Sequence, residues 1–157
     1  MSLRDRIQPQ TVAWREAVTS KKRALERLSH YLSQAESGLD ENAIFEKLLE
    51  RERLGSTGLG QGVAIPHCRL PGVTDAVAAL MTLEDGVDFE AADRRPVDLL
   101  LALVVPEDCA EVHLELLAQA AEMFSDPAFC QRLRQAPSAE ALYALISGWQ
   151  PRQQRRA

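Results

Sequence analysis

Val97-Asp98-Leu99-Leu100-Leu101-Ala102-Leu103-Val104-Val105 is apolar on both alternations after its first pair. A strand with one wet face alternates apolar and polar residues, so this run predicts an interior strand covered on both sides, with helices above and below it. Two more strands read upstream: the short run Val63-Ala64-Ile65, stopped by Pro66, and a longer one from Val73 to Leu83. Between the longer run and Val97, Glu84-Asp85-Gly86 and Asp93-Arg94-Arg95-Pro96 carry turn chemistry, with Phe89 on a short strand between them.

The covering helices are legible on either side of these strands. Ser20 is placed to cap a helix whose apolar stripe is Ala24, Leu25, Leu28 and Leu32, with a stop near Gly38. Asp40 offers the same cap to a second helix, with Ile44, Phe45, Leu48 and Leu49 on its apolar face and its end near Arg53. After Pro106 the spacing predicts a helix over 110–124 that buries Leu114, Leu117, Ala121 and Phe124. Asp126-Pro127 and Pro137-Ser138 open two more, the last carrying Leu142, Leu145 and Ile146. The order of elements predicts a single α/β domain over residues 1–150, a mixed sheet between helical layers. Residues 151–157 read as a solvated basic tail with Arg152, Arg155 and Arg156.

Composition narrows the function. A chain of 157 residues with 46% hydrophobic residues fills one core. The formal charge of −5 supplies no general field for phosphate backbones, so nucleic acid is not expected as a partner. No apolar run approaches the ~20 residues of a membrane span, and Met1 to Arg6 lacks a secretory pattern, so no membrane insertion and a cytoplasmic location are expected. Cys68, Cys109 and Cys130 are odd in number and widely spaced, which predicts three free thiols.

The segment from Gly55 to Gly62 holds four glycines, Gly55, Gly58, Gly60 and Gly62, with Ser56 and Thr57 among them, and it leads through a short strand to Pro66-His67. Imidazole is nucleophilic and largely neutral near pH 7, as a phosphoryl acceptor must be, and loop amides near it can face phosphoryl oxygens. The alternative is a tight connection followed by a surface histidine. Other glycine motifs fail. A Walker loop needs Gly-Lys-Ser/Thr where Gly60 is followed by Gln61, and the dinucleotide pattern meets Val63 or Ile65 where a third glycine belongs. A nucleophile elbow at Ser56 would need glycine at Leu54. His67 and Cys68 make two local ligands, short of the usual four, so neither metal nor cofactor is expected.

The stretch Arg51-Glu52-x-Leu54-Gly55-Ser56-Thr57-Gly58-Leu59-Gly60-Gln61-Gly62-Val63-Ala64-Ile65-Pro66-His67 resembles the active-site segment of the mannitol/fructose-type IIA family of the bacterial phosphotransferase system. Within it, Leu-Gly-Ser-Thr-Gly is most like the nitrogen-regulatory branch. The resemblance continues through Ser20-Lys21-Lys22, Pro96 to Leu100, His113-Leu114 and Phe124-Ser125-Asp126. Cys68 stands where glycine is usual and Gln61 where asparagine is usual. The resemblance implies a mixed sheet of roughly five strands with helices on both sides, and a phosphohistidine at His67.

Spacing alone places His113 on an apolar helix face, where a hydrogen-bonded core histidine is the common outcome; the resemblance implies a supporting role beside the acceptor. It implies the same for Arg51, otherwise a solvated cation at a helix end, and His30 reads as structural. The function implied is a regulatory phosphocarrier rather than a turnover enzyme, taking its phosphoryl group from an HPr/NPr-type carrier and acting on target proteins by phosphorylation state. The alternative within the family is a sugar-transport IIA component that passes phosphate to a IIB cysteine. A third possibility, from residue physics alone, is an anion- or ligand-binding module that uses the glycine loop as a nest. For the loop from Gly55 to Gly62, partner docking is expected to matter more than catalytic chemistry.

Overall fold

The computed structural model describes residues 2–35, 39–108 and 110–152. The expected helix stop at Gly38, the thiol of Cys109 and the tail beyond Arg152 lie outside them.

Six strands form one sheet: β1 (Val12–Glu16), β2 (Gly58–Gly60), β3 (Val63–Ala64), β4 (His67–Leu70), β5 (Val77–Val87) and β6 (Val97–Pro106). Five helices accompany them: α1 (Lys21–Ser33), α2 (Glu41–Leu54), α3 (Ala110–Phe124), α4 (Pro127–Arg134) and α5 (Ala139–Ser147). The order across the sheet is β1-β5-β6-β3-β2, with β4 also on β6. β5 and β6 pair antiparallel, while β1 on β5 and both β3 and β4 on β6 are parallel. β3 and β4 occupy one position in the sheet, pairing Ala64 with Leu100 and His67 with Leu103. The expected five strand positions are therefore filled by six segments, because Pro66 lacks the N–H that a continuous ladder requires.

β6 is the interior strand that its composition predicts; every residue in it except Asp98 is buried. Leu99, Leu101, Leu103 and Val105 face a core shared with α3, α4 and α5. Leu100, Ala102 and Val104 face the opposite core, with Leu25, Leu28, Leu32, Ile44 and Leu48 of α1 and α2. Each fully buried leucine removes enough apolar surface to contribute about 1.5–3 kcal/mol, so two-sided burial of β6 makes it the centre of the fold.

The two expected caps are present, and the two later helix starts are capped as well. Ser20, Asp40, Asp126 and Ser138 accept from the backbone N–H groups of Arg23, Ala43, Ala128 with Phe129, and Ala141, respectively. The expectations fail elsewhere. Phe89 is in no strand; it is fully buried in the α1–α2 core, on the connection between β5 and β6. The long strand begins at Val77 rather than Val73 and runs on to Val87. α3 is rotated from the expected face: His113, Leu116, Gln119, Ala120, Met123 and Phe124 are buried, whereas Leu114 and Ala121 are exposed and Leu117 is half-buried. β1 was not anticipated. It is a short edge strand interrupted by an irregularity between Ala13 and Glu16, where Arg15 takes a left-handed φ of 48° and donates its N–H to the Thr82 hydroxyl at 2.8 Å.

Candidate functional site

α2 brings Arg51 and Glu52 to one side of the glycine segment, β4 brings His67, and α3 brings His113. After the β2–β3 hairpin, Pro66 interrupts the ladder, although its carbonyl still accepts from Leu103 N–H at 3.0 Å. His67 then opens β4, so its backbone is fixed by β6 and is not on a free loop. The side chain is half-buried.

The His67 ring has one defined bond, from Nδ1 to the Ile65 carbonyl at 2.8 Å. A carbonyl can only accept, so in the neutral ring Nδ1 carries the proton and Nε2 keeps its lone pair. Burial lowers the His67 pKa from its ordinary 6.5; the Ile65 bond opposes that change, Arg51 adds to it and Glu52 opposes it. The ring is therefore neutral and nucleophilic at Nε2 near pH 7.

His113 packs beside it, with ring centroids 5.1 Å apart and planes inclined at 63°. Burial, with the neighbouring charges of His67, Arg69 and Arg51, pushes its pKa down to about 4. Its Nε2 is buried with no hydrogen-bond partner among the described residues. A buried polar atom left so costs free energy unless something completes it. Arg51 donates from Nη1 to the Gly55 carbonyl at 2.9 Å. Two shallow depressions share Arg51 and His67. One, of about 310 Å³, includes Lys47, Arg69 and His113; the other, of about 320 Å³, includes Leu59, Leu117 and Ala121.

The glycine segment is structured differently from a phosphate nest. The N–H groups of Gly55, Thr57, Gly58 and Gln61 already donate to the Glu52 carbonyl, the Glu52 carboxylate, the Ser56 hydroxyl and the Asp93 carboxylate. Ser56 in turn donates to the Phe89 carbonyl at 2.8 Å, and the Thr57 hydroxyl points inward to Glu52. Gly60 and Gly62 have φ of 90° and 82°, a region costly for other residues. At Gly62 an added Cβ would also lie 2.8 Å from Arg134 Nη2. Four of the segment's backbone donors are thus already taken, while the Arg51 and His113 side chains line a depression with His67.

Sequence reasoning missed the supports of this segment. Arg134 donates to the Asp98 carboxylate and to the Gln61 carbonyl, each at 2.9 Å, and Glu52 pairs with Lys21 Nζ at 3.0 Å. These partners come from separate elements; Lys21, Glu52, Gln61 and Asp98 fall in the quoted stretches without any supporting role, and Arg134 falls in none. Burial pushes the Cys68 thiol up to about 12, which keeps it protonated and out of the chemistry. Among the described residues no cluster of three or more His, Cys, Asp or Glu suits a metal ion, and no helix is long and apolar enough to cross a membrane. A groove of about 750 Å³ between α4 and α5 is lined by no histidine or cysteine.

The sequence matches known proteins on this same frame. A nitrogen regulatory protein from Pseudomonas aeruginosa is 50% identical over 127 residues, 81% of this chain and 82% of that one. The nitrogen regulatory protein of Escherichia coli K12 is 46% identical over 129 residues, 82% of this chain and 78% of the relative. The crystal structure of nitrogen regulatory protein IIA-Ntr from Neisseria meningitidis superposes with a TM-score of 0.85 at 40% identity, covering 92% of this chain and 98% of that one. The family model described as "Phosphoenolpyruvate-dependent sugar phosphotransferase system, EIIA 2" matches residues 6–149. With the family model, the relatives and the fold in agreement, the chain belongs to the EIIA 2 family of the phosphoenolpyruvate-dependent phosphotransferase system.

Proposed function

We propose that this protein is a regulatory phosphocarrier of the nitrogen-related phosphotransferase system that accepts a phosphoryl group on Nε2 of His67. The observation that carries the reading is the bond from His67 Nδ1 to the Ile65 carbonyl, which leaves Nε2 as the nucleophile beside His113 and Arg51. An HPr/NPr-type carrier presents a phosphohistidine protonated on its other ring nitrogen; its N–P bond breaks as the bond to His67 Nε2 forms, and its imidazole keeps that proton and leaves neutral. His67 keeps its Nδ1 proton throughout. The transition state spreads charge over the phosphoryl oxygens, where Arg51 and a donating His113 Nε2–H stabilise it.

The surface around His67 suits a protein donor. Leu54 and Leu59, 82% and 51% exposed, line the depressions at His67 with Lys47, Glu50, Arg51 and Arg69, and Leu114, next in the chain to His113, is 68% exposed. Apolar anchors ringed by cations fit an apolar patch on a carrier with acidic groups at its edge. Such an exchange between proteins fits a cytoplasmic carrier, whose two charge states would present different surfaces to target proteins. The likeness to nitrogen regulatory proteins supports regulation over sugar transport. Incubation with the general carriers and radiolabelled phosphoenolpyruvate tests the reading. Label on His67 is expected, and its absence with active carriers would overturn the proposal.

A further inference from the structure

We propose that Glu52, clamped between Lys21 and Thr57, is a positioning residue that aims the His67 ring through the backbone of Ile65. This rests on His67 being the phosphoryl acceptor. The Glu52 side chain is only 2% exposed. Its Oε1 accepts from Lys21 Nζ at 3.0 Å and from Thr57 N–H at 3.2 Å, and its Oε2 accepts from the Thr57 hydroxyl. The chain of bonds then continues in one direction. The Thr57 carbonyl accepts from Ile65 N–H at 3.1 Å, and the Ile65 carbonyl accepts from His67 Nδ1 at 2.8 Å.

Stability alone is a weak reason to keep such an arrangement. Desolvating a carboxylate and an ammonium is expensive, and well-packed apolar residues often replace a buried pair with no loss. What an apolar pair could not do is hold Thr57 by both its N–H and its hydroxyl, which sets where its carbonyl points. Lys21 is itself fixed, with its ammonium 4.7 Å from the centre of the Phe89 ring, whose own carbonyl holds Ser56. The glycine segment is thus pinned from beneath at two adjacent residues. Only Ile65 and Pro66 lie between that anchor and the acceptor. If Thr57 moves, Ile65 follows, and His67 loses the bond that selects its Nδ1–H tautomer and directs Nε2 outward.

The test uses the whole protein with its carrier. Thr57→Val removes the hydroxyl at nearly constant shape, Thr57→Ser keeps it, and Glu52→Gln removes the charge. Thr57→Val and Glu52→Gln are expected to slow transfer to His67 on the order of 10–100-fold, as misaligned supporting groups do. Thr57→Ser should recover most of the rate. Nitrogen-15 spectra of the imidazole should show His67 as the Nδ1–H tautomer in the parent and a mixture in the two slow variants. A merely structural network would lower the melting temperature without moving that tautomer. Parent-like rate and tautomer in Thr57→Val would overturn the proposal, as would slowed transfer with the tautomer unchanged. Should Glu52→Gln fail to fold, Thr57→Val decides alone. Absence of label on the parent protein would sink the phosphocarrier reading instead, so the two failures are distinct.

Discussion

The rings of His67 and His113 meet edge to face with centroids 5.1 Å apart, one on the interrupted edge of the sheet and the other on the helix that follows β6. His67 disfavours a proton on His113, and both have pKa values lowered by burial. Two neutral imidazoles side by side let one act as nucleophile and the other as hydrogen-bond donor, which a pair of imidazolium ions could not.

Replacement of His67 by alanine should abolish acid-labile labelling from the carrier while the protein stays folded. The side chain is half-buried and has one bond to a backbone carbonyl, so its loss should cost about 1 kcal/mol. Mass spectrometry of the labelled protein and a thermal melt check both parts. In the parent, the transfer rate should fall with acidification at a lower pH than an ordinary imidazole would impose, since burial lowers the His67 pKa. The charged groups around the ring are Lys47, Glu50, Arg51, Glu52 and Arg69, with the titratable but neutral His113 beside it.

His113 makes a separate prediction about stability. Its pKa is about 4 folded against an ordinary 6.5, so between these values the unfolded chain binds a proton that the folded one does not. That contribution is complete above pH 6.5 and is lost as the pH falls toward 4, a change of up to roughly 3 kcal/mol. His113→Leu should flatten this part of a urea-denaturation series taken from pH 7 to pH 4. It should also slow transfer or shorten the phosphohistidine lifetime, with His67 still the labelled residue. An unchanged pH slope would mean that His113 is not the residue responsible.

Much of this was readable before any coordinates, and the exceptions have physical causes. β6 announces itself because burial on both faces leaves no polar alternation, and four helix starts carry a side-chain oxygen at the cap. β1 hides because it is short, ends in Arg15 and Glu16, and leaves Trp14 37% exposed. α3 misleads because leucines and alanines lie nearly all round it. The stripe expected in the core, Leu114 and Ala121 with Leu117, is instead the face turned outward or toward His67. Sequence placed His67 in an active-site segment, but its tautomer depends on the Ile65 carbonyl and, through Thr57, on Lys21 from another helix. No periodicity reports such a link.

At Gly62 the backbone requirement outweighs docking. Alanine there would adopt a φ of 82° and set its Cβ against Arg134 Nη2 and Asp98 Oδ1. The left-handed conformation alone costs a non-glycine residue about 1–2 kcal/mol, and displacing Arg134 would free the hairpin tip it holds through the Gln61 carbonyl. Gly62→Ala should therefore lower the melting temperature and reduce transfer from protein and small-molecule donors alike. A loss confined to the protein donor, with parent-like stability, would instead restore the docking role expected of this glycine.

Docking is better tested at side chains that already face outward. Leu59 and Leu114 are 51% and 68% exposed, so a polar replacement should leave the fold within about 0.5 kcal/mol. A glutamate at either place would set a desolvated charge inside an apolar contact and disturb the attraction between the site's cations and an acidic-edged carrier. Leu59→Glu and Leu114→Glu should slow carrier-to-protein transfer by roughly 10–100-fold, the range of a strong interface residue. Reaction with a small phosphoramidate donor needs no complementary surface and should continue near the parent rate. The ratio of the two rates is the quantity to measure. Equal slowing with both donors would show that these leucines act on His67 itself and that the carrier lands elsewhere.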